Sequence, residues 1–229
     1  IPRVFGIAPD QVNQVLRESE AKLLSLRALR VRPHLDDKIL AGWNGLMISA
    51  FARGAQVLDE PRYAAAASRA AAFLLSRLYN PATGILSRSG NIPGFLDDYF
   101  FVAQALLDLY ETDFNAARIA QASALARKAI ELFEDTRQGA FFSTSAGDPN
   151  LLLRIKEDYD GAEPSGNALA VLALVRLAAF TGRPDFLETA QRAAEALSVK
   201  LASEPSSSPQ LLSAAWLSQS SVIQVVVAG

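Results

Sequence analysis

Hydrophobic residues recur along this chain in two alternating rhythms. Over 99–110 and 168–180 nearly every position is apolar, the pattern of a helix packed on several sides. The neighbouring segments are one-sided. Tyr63, Ala67, Ala70, Ala71, Phe73, Leu74 and Leu78 return at helical spacing, and Phe186, Leu187, Ala190, Ala193, Ala194, Leu197 and Leu201 do the same. In the second set Glu188, Arg192 and Glu195 occupy the wet face. The two kinds of helix alternate in three related units, about 42–89, 97–145 and 166–205, each an apolar helix, a polar turn and an amphipathic helix. The first two units close on matching turns, with Gly84 six positions after Leu78 and Gly139 six positions after Phe133.

Buried helices alternating with half-buried ones predict two concentric shells, inner helices lining a ring and outer helices wrapping it. A simple bundle would make all its helices equally amphipathic. Glu60-Pro61 and Arg183-Pro184 place proline at the start of outer helices, and Thr181-Gly182 ends an inner one. A further amphipathic helix is expected over about 10–29, and Ser206-Ser207-Ser208-Pro209 reads as a break. The expectation is an all-α fold, an α/α toroid of stacked hairpins with short β-hairpin turns. About three and a half hairpins make it an incomplete, open arc over residues 1–221. The run Val222-Ile223-Gln224-Val225-Val226-Val227 reads as a β-strand, so 222–229 is expected to begin a C-terminal strand segment. Ile1-Pro2 is not a natural start, and a strand without a partner points the same way: the chain is expected to be part of a longer protein.

Composition narrows the chemistry. A chain of 229 residues, half of them hydrophobic, is long enough for one large domain with its own core. A net charge of −2 without a basic stripe argues against nucleic acid and anionic membranes as partners. No apolar run approaches the ~20 residues of a membrane span, so a soluble, cytoplasmic protein is expected. The absence of cysteine excludes disulfides, thiolate nucleophiles and sulfur-ligated zinc, and a single histidine, His34, leaves histidine-rich metal sites without ligands. No cofactor is expected and no metal ligands stand out, although the oxygen-rich acidic clusters could hold calcium or magnesium.

In a ring of this kind the loops leading into the inner helices converge on one mouth. Three polar clusters sit there. The first is Arg32-Pro33-His34-Leu35-Asp36-Asp37-Lys38 with Trp43-Asn44-Gly45; the second is Gly94-Phe95-Leu96-Asp97-Asp98-Tyr99. The third runs over 154–167 and holds Arg154, Lys156, Glu157, Asp158, Asp160, Glu163 and Asn167. Any one of these carboxylates can be explained as a helix cap. Acids recurring before all three inner helices, with aromatic rings beside them, are also what sugar chemistry requires: one acid, one base or nucleophile, and flat rings to stack on a pyranose. The catalytic candidates are Asp98 first, just inside its helix where burial raises a carboxyl pKa, then Glu163, and then Asp36, Asp37 and Asp160. Asp97 is expected to cap the helix that Asp98 begins. The substrate-binding candidates are Trp43, Asn44, Tyr99, Arg154, Lys156, Asn167 and His34. Several have a structural alternative: ion pairing for Arg154 and Lys156, capping for Asn44 and Asn167, wall packing for Trp43, a hydrogen-bonded structural role for His34. Gly45, Gly161 and Gly166 read as tight turns, since no phosphate-binding motif surrounds them.

The same clusters carry a resemblance. Arg32-Pro33-His34-Leu35-Asp36-Asp37-Lys38-Ile39-Leu40 with Trp43-Asn44-Gly45-Leu46-Met47, then Gly94-Phe95-Leu96-Asp97-Asp98-Tyr99, then Asp160-Gly161-Ala162-Glu163-Pro164-Ser165-Gly166-Asn167, resemble the spermatogenesis-associated, thioredoxin-like protein family, in order and spacing, to about Leu201. The resemblance implies an N-terminal thioredoxin-like domain, absent from this chain, followed by a six-hairpin toroid related to glycosidases and N-acylglucosamine 2-epimerases. It therefore implies a carbohydrate-active enzyme, a glycoside hydrolase or a sugar isomerase or epimerase, with a sugar or other small molecule as ligand. The related 2-epimerases use paired histidines, and this chain has one. The alternative is a non-catalytic binding or interaction scaffold for the thioredoxin-like domain.

Overall fold

The computed structural model describes residues 8–147 and 151–220, together with Val4 and Gly6. The strand expected over 222–227 lies outside the described residues. The chain divides into two units, Ile1–Lys38 and Ile39–Gly229. In the first unit, helix α1 (Pro9–Ala28) opens with proline at its first position, where the ring costs no hydrogen bond. None of its residues is buried. The chain then runs without regular structure past His34, Asp36 and Asp37.

The second unit follows the predicted alternation. Its helices are α2 (Ala41–Leu58), α3 (Pro61–Arg77), α4 (Leu96–Asp113), α5 (Ala117–Phe133), α6 (Gly166–Thr181), α7 (Pro184–Ala196), the short α8 (Ser198–Ser203) and α9 (Pro209–Gln219). α2, α4, α6 and α9 form the inner row, and α3, α5 and α7 pack behind it. α4 buries every residue from Asp98 to Leu109, as a helix flanked on several sides must. α3 buries only Ala67, Ala71 and Leu74 along one face; Phe73, counted with that apolar set, stays 44% exposed. The inner helices run parallel. Asp98 at the start of α4 meets Gly42 at the start of α2, and Arg53 and Arg176, late in α2 and α6, both meet Asp108 late in α4. Their N-termini therefore share one end of the arc.

α9 is an inner helix that the sequence pattern did not announce. A 3-10 turn over Pro205–Ser207 leads into Pro209 at its first position, so the expected break is a helix start. Leu211, Ala214, Ala215 and Ser218 face inward, and so few large side chains leave a faint periodicity. Gly45 also departs from its reading as a turn. It lies within α2, and a Cβ there would come within 2.7 Å of the Phe101 carbonyl carbon, so glycine lets α2 and α4 approach backbone to backbone.

The matching turns do correspond. Strands β1 (Tyr79–Asn80), β2 (Ile85–Ser89) and β3 (Ile92–Pro93) form an antiparallel sheet in that order, pairing Tyr79 with Leu86. The second turn keeps one bridge, Glu134 to Phe141. Gly84 and Gly139 take φ of 73° and 77°, the left-handed conformation that favours glycine. β2 carries Arg88 to the N-terminal end of α4.

Candidate functional site

The first carboxylates at the mouth serve the backbone. Phe95 is the N-cap of α4, and Asp98 reaches back from the third helical position to accept from its N–H at 3.0 Å. The other Asp98 oxygen accepts from Gly42 N–H at 2.8 Å, a first-turn donor of α2. One side chain thus satisfies free donors at the starts of two inner helices. Arg88 completes the set, 3.0 Å from Asp98 and 3.2 Å from Asp97, with its guanidinium over the Phe95 ring. Burial pushes the Asp98 carboxyl above the usual carboxylate range and the Asp97 charge adds to this, against the pull of the hydrogen bonds from Phe95 and Gly42 and of the Arg88 charge. Asp160 plays the same part further along. It accepts from Ser165 N–H at 2.7 Å, at the start of α6, and from Gln210 and Leu211 N–H at 2.8 and 3.3 Å, at the start of α9.

Residues 151–165, ahead of α6, form a strap without regular structure, held at several points. Ser143 N–H donates to Ile155 O at 2.8 Å, Asp160 N–H to Ser207 O at 3.0 Å, and the Ser208 hydroxyl to Asp158 O. Asn167, fully buried, donates to Glu157 O and Phe141 O and accepts from Phe141 N–H, each at 2.9 Å. It is the clasp of the strap. Pinned in this way, the strap lays Glu157, Tyr159 and Glu163 beside the starts of α2 and α4.

There they enclose a cavity of about 480 Å³, lined by Trp43, Leu46, Asp97, Glu157, Tyr159, Glu163, Pro164 and the small residues Gly161, Ala162 and Gly166. The volume suits a small organic ligand. Two aromatic rings and three carboxyl groups share it, and among the described residues no lysine, arginine or histidine lines it. Glu157 keeps an open side to solvent, yet partial burial and then the charges of Asp97, Glu163 and Asp158 push its carboxyl above the usual range. Among the described residues no group of three or more histidine, aspartate or glutamate side chains is placed to hold a metal ion.

The structure redistributes the sequence candidates. Trp43 and Glu163 line the cavity. Asp97 lines it too, although it was expected to be the cap; Asp98, the expected acid or base, does the capping and lies outside the lining. Asp160 is a cap shared by two helices. Tyr99 is buried and accepts Leu86 N–H at 2.8 Å through its hydroxyl. Asn44 donates to Leu40 O at 2.8 Å across the first turn of α2. Arg154 lies over the Phe142 ring at 4.0 Å and donates to Thr144 O and Leu132 O, and Lys156 pairs with Asp135 at 2.8 Å and donates to Gly139 O. Both cations hold the strap and the second turn. His34, Asp36 and Asp37 belong to the first unit, all exposed, with Asp36 paired to Lys38 at 2.7 Å. Glu157 and Tyr159 were not singled out from the sequence. The signal was available in the Glu157-Asp158-Tyr159-Asp160 run, but nothing in it distinguishes which side chains face the cavity.

Comparison with known proteins supplies the lineage. No family model matches the chain. Human spermatogenesis-associated protein 20 is 36% identical over 239 residues, covering 98% of this chain. The chain is a homologue of spermatogenesis-associated protein 20. It spans about 30% of that relative's length. The mouse protein of the same name is 34% identical over the same share, and an uncharacterized protein of Caenorhabditis elegans is 29% identical over 90% of the chain. Among solved structures, an α-1,6-mannanase of Salegentibacter sp. HEL1_6 in complex with α-1,6-mannotriose superposes with a TM-score of 0.58 at 14% identity, covering 69% of this chain and 47% of the mannanase. A cellobiose 2-epimerase of Spirochaeta thermophila DSM 6192 gives 0.56 at 16%, covering 70% and 43%. The second unit is therefore built as an α/α toroid of the six-hairpin, glycosidase-like kind, the fold of glycoside hydrolases and sugar epimerases. No helix among the described residues is long and apolar enough to cross a membrane.

Proposed function

We propose that the cavity at the helix N-termini is the active site of a carbohydrate-active enzyme, a glycoside hydrolase or a sugar epimerase or isomerase. The observation that carries this reading is the lining itself: Trp43 and Tyr159 beside Asp97, Glu157 and Glu163, on a fold that sugar enzymes share. The two rings offer faces for a pyranose to stack upon. Glu157, whose carboxyl is pushed above the usual carboxylate range, is the candidate proton donor to a departing or ring oxygen. Asp97, ion-paired to Arg88 and lining the same cavity, acts as the base or nucleophile. Asp98 positions this machinery by fixing the starts of α2 and α4 and the Arg88 guanidinium. The mannanase was studied as a variant inactivated at two consecutive aspartates, which makes the consecutive pair Asp97–Asp98 the natural place to look here.

The test is turnover of α-1,6-mannobiose, cellobiose and mannose, scored for hydrolysis, 2-epimerisation and isomerisation. Glu157→Gln and Asp97→Asn are each expected to lower the rate by about a hundredfold or more while far-UV circular dichroism is unchanged. Activity that survives both substitutions, or a chain inert on all three sugars, overturns the assignment and leaves a non-catalytic binding module.

A further inference from the structure

Resting on that reading of the cavity, the charge of its walls goes further and names a class of ligand. Three carboxyl groups, Asp97, Glu157 and Glu163, share about 480 Å³, and no basic side chain among the described residues lines the same space. The nearest guanidinium named at this end, Arg88, is already divided between Asp97 and Asp98. Neither the Glu157 nor the Glu163 carboxyl takes a hydrogen bond or an ion pair from any described residue. Elsewhere in the chain comparable acids are matched: Asp108 by Arg53 and Arg176, Asp135 by Lys156, Glu134 by Arg192. At this cavity two acids of the three, Glu157 and Glu163, stand without a counter-charge among the described residues.

We infer that this cavity selects sugars bearing a protonated amine over neutral and anionic ones, the ammonium group lying between the Glu157 and Glu163 carboxyls while the ring stacks on Trp43 or Tyr159. An ammonium there relieves the mutual repulsion of the three acids, and the open face of an indole or phenol ring adds cation–π attraction. A uronate or phosphorylated sugar meets the same acids with the opposite sign and is excluded. An uncharged sugar retains stacking and hydrogen bonds but gains nothing from the field.

The experiment is titration of the chain with D-glucosamine, D-glucose and D-glucuronate at about pH 6, where the amine is protonated. The readout is the Trp43 indole N–H resonance, assigned with Trp216→Phe. Glucosamine is expected to bind about tenfold more tightly than glucose at low salt, as a few partly screened ion contacts allow, with glucuronate producing no shift. The preference is expected to shrink towards parity in high salt and in the double variant Glu157→Gln/Glu163→Gln, whose fold is checked by circular dichroism. Glucose binding as tightly as glucosamine, or glucuronate binding at all, overturns the charge selection and leaves the sugar site standing. A chain that binds none of the three sugars removes both.

Discussion

α4 carries acids at both ends, and the two ends treat them differently. Near its C-terminal end Asp108 is buried and charge-matched: Arg176 at 2.6 Å, Arg53 at 2.9 Å and Gln104 at 3.2 Å converge on one oxygen. Arg176 turns its other nitrogen to Glu111 at 2.7 Å, so two acids face two guanidiniums. At the N-terminal end Asp97, Asp98, Glu157 and Glu163 face one, Arg88. Of these, Asp98 is buried and fully bonded, whereas the other three look into a cavity. The identity of the residue does not separate a structural acid from one proposed for chemistry. The separation lies in whether the surroundings supply donors and a counter-charge to the carboxylate.

The matched end is the more consequential for stability. Asp108→Ala leaves Arg176, largely buried, without its acid, and loss of one partner of a buried pair costs about 3–5 kcal/mol. Chemical denaturation should show that loss. A change below about 1 kcal/mol would mean that Arg176 finds adequate compensation in Glu111, and the contrast between the two ends would lose its basis.

The adjacent pair Asp97 and Asp98 sharpens the comparison within one helical turn. Asp98→Ala strands the N–H groups of Gly42 and Phe95, both at helix starts, and is expected to cost about 2–4 kcal/mol. Asp97→Ala removes one partly exposed ion pair and should cost less than about 1 kcal/mol. Equal losses from the two substitutions, measured by the same unfolding curves, would show that Asp97 is as structural as its neighbour and would weaken its placement in the chemistry.

This pair also marks the limit of what the chain's pattern makes legible. Shell and hairpin order follow from periodicity, because burial on several sides demands apolar residues all round α4 and α6, and one-sided burial demands a stripe on α3 and α7. The paired glycines at 84 and 139 follow from a backbone conformation that favours glycine. The mouth is legible only as a neighbourhood. Consecutive residues on a helix point about 100° apart, so which of Asp97 and Asp98 turns inward depends on the phase of α4, and that is set by the closeness of Gly45 to Phe101 fifty-six residues away. Glu157 and Tyr159 are harder still. They lie on a strap with no period, and its path is fixed by Asn167, which in the sequence reads equally well as a cap.

The finest distinction between the two ends is electrostatic, and Glu157 reports it. Its carboxyl is raised by partial burial first and then by the charges of Asp97, Glu163 and Asp158. Glu163→Gln deletes one of those charges while keeping the shape, and with a repelling neighbour gone the proton leaves Glu157 more easily. The Glu157 titration followed by carboxyl carbon NMR should therefore move to lower pH in Glu163→Gln. Any rate that needs protonated Glu157 should lose its alkaline limb at correspondingly lower pH. Arg53→Gln, at the matched end of α4, should leave that titration where it is, since screening over the length of the helix is nearly complete at ordinary salt. A Glu157 midpoint that ignores Glu163→Gln would mean that burial and the charges of Asp97 and Asp158 raise it without Glu163. Glu157 and Glu163 would then be neighbours in one cavity without acting on each other, and the gathering of charge there would not extend to that pair.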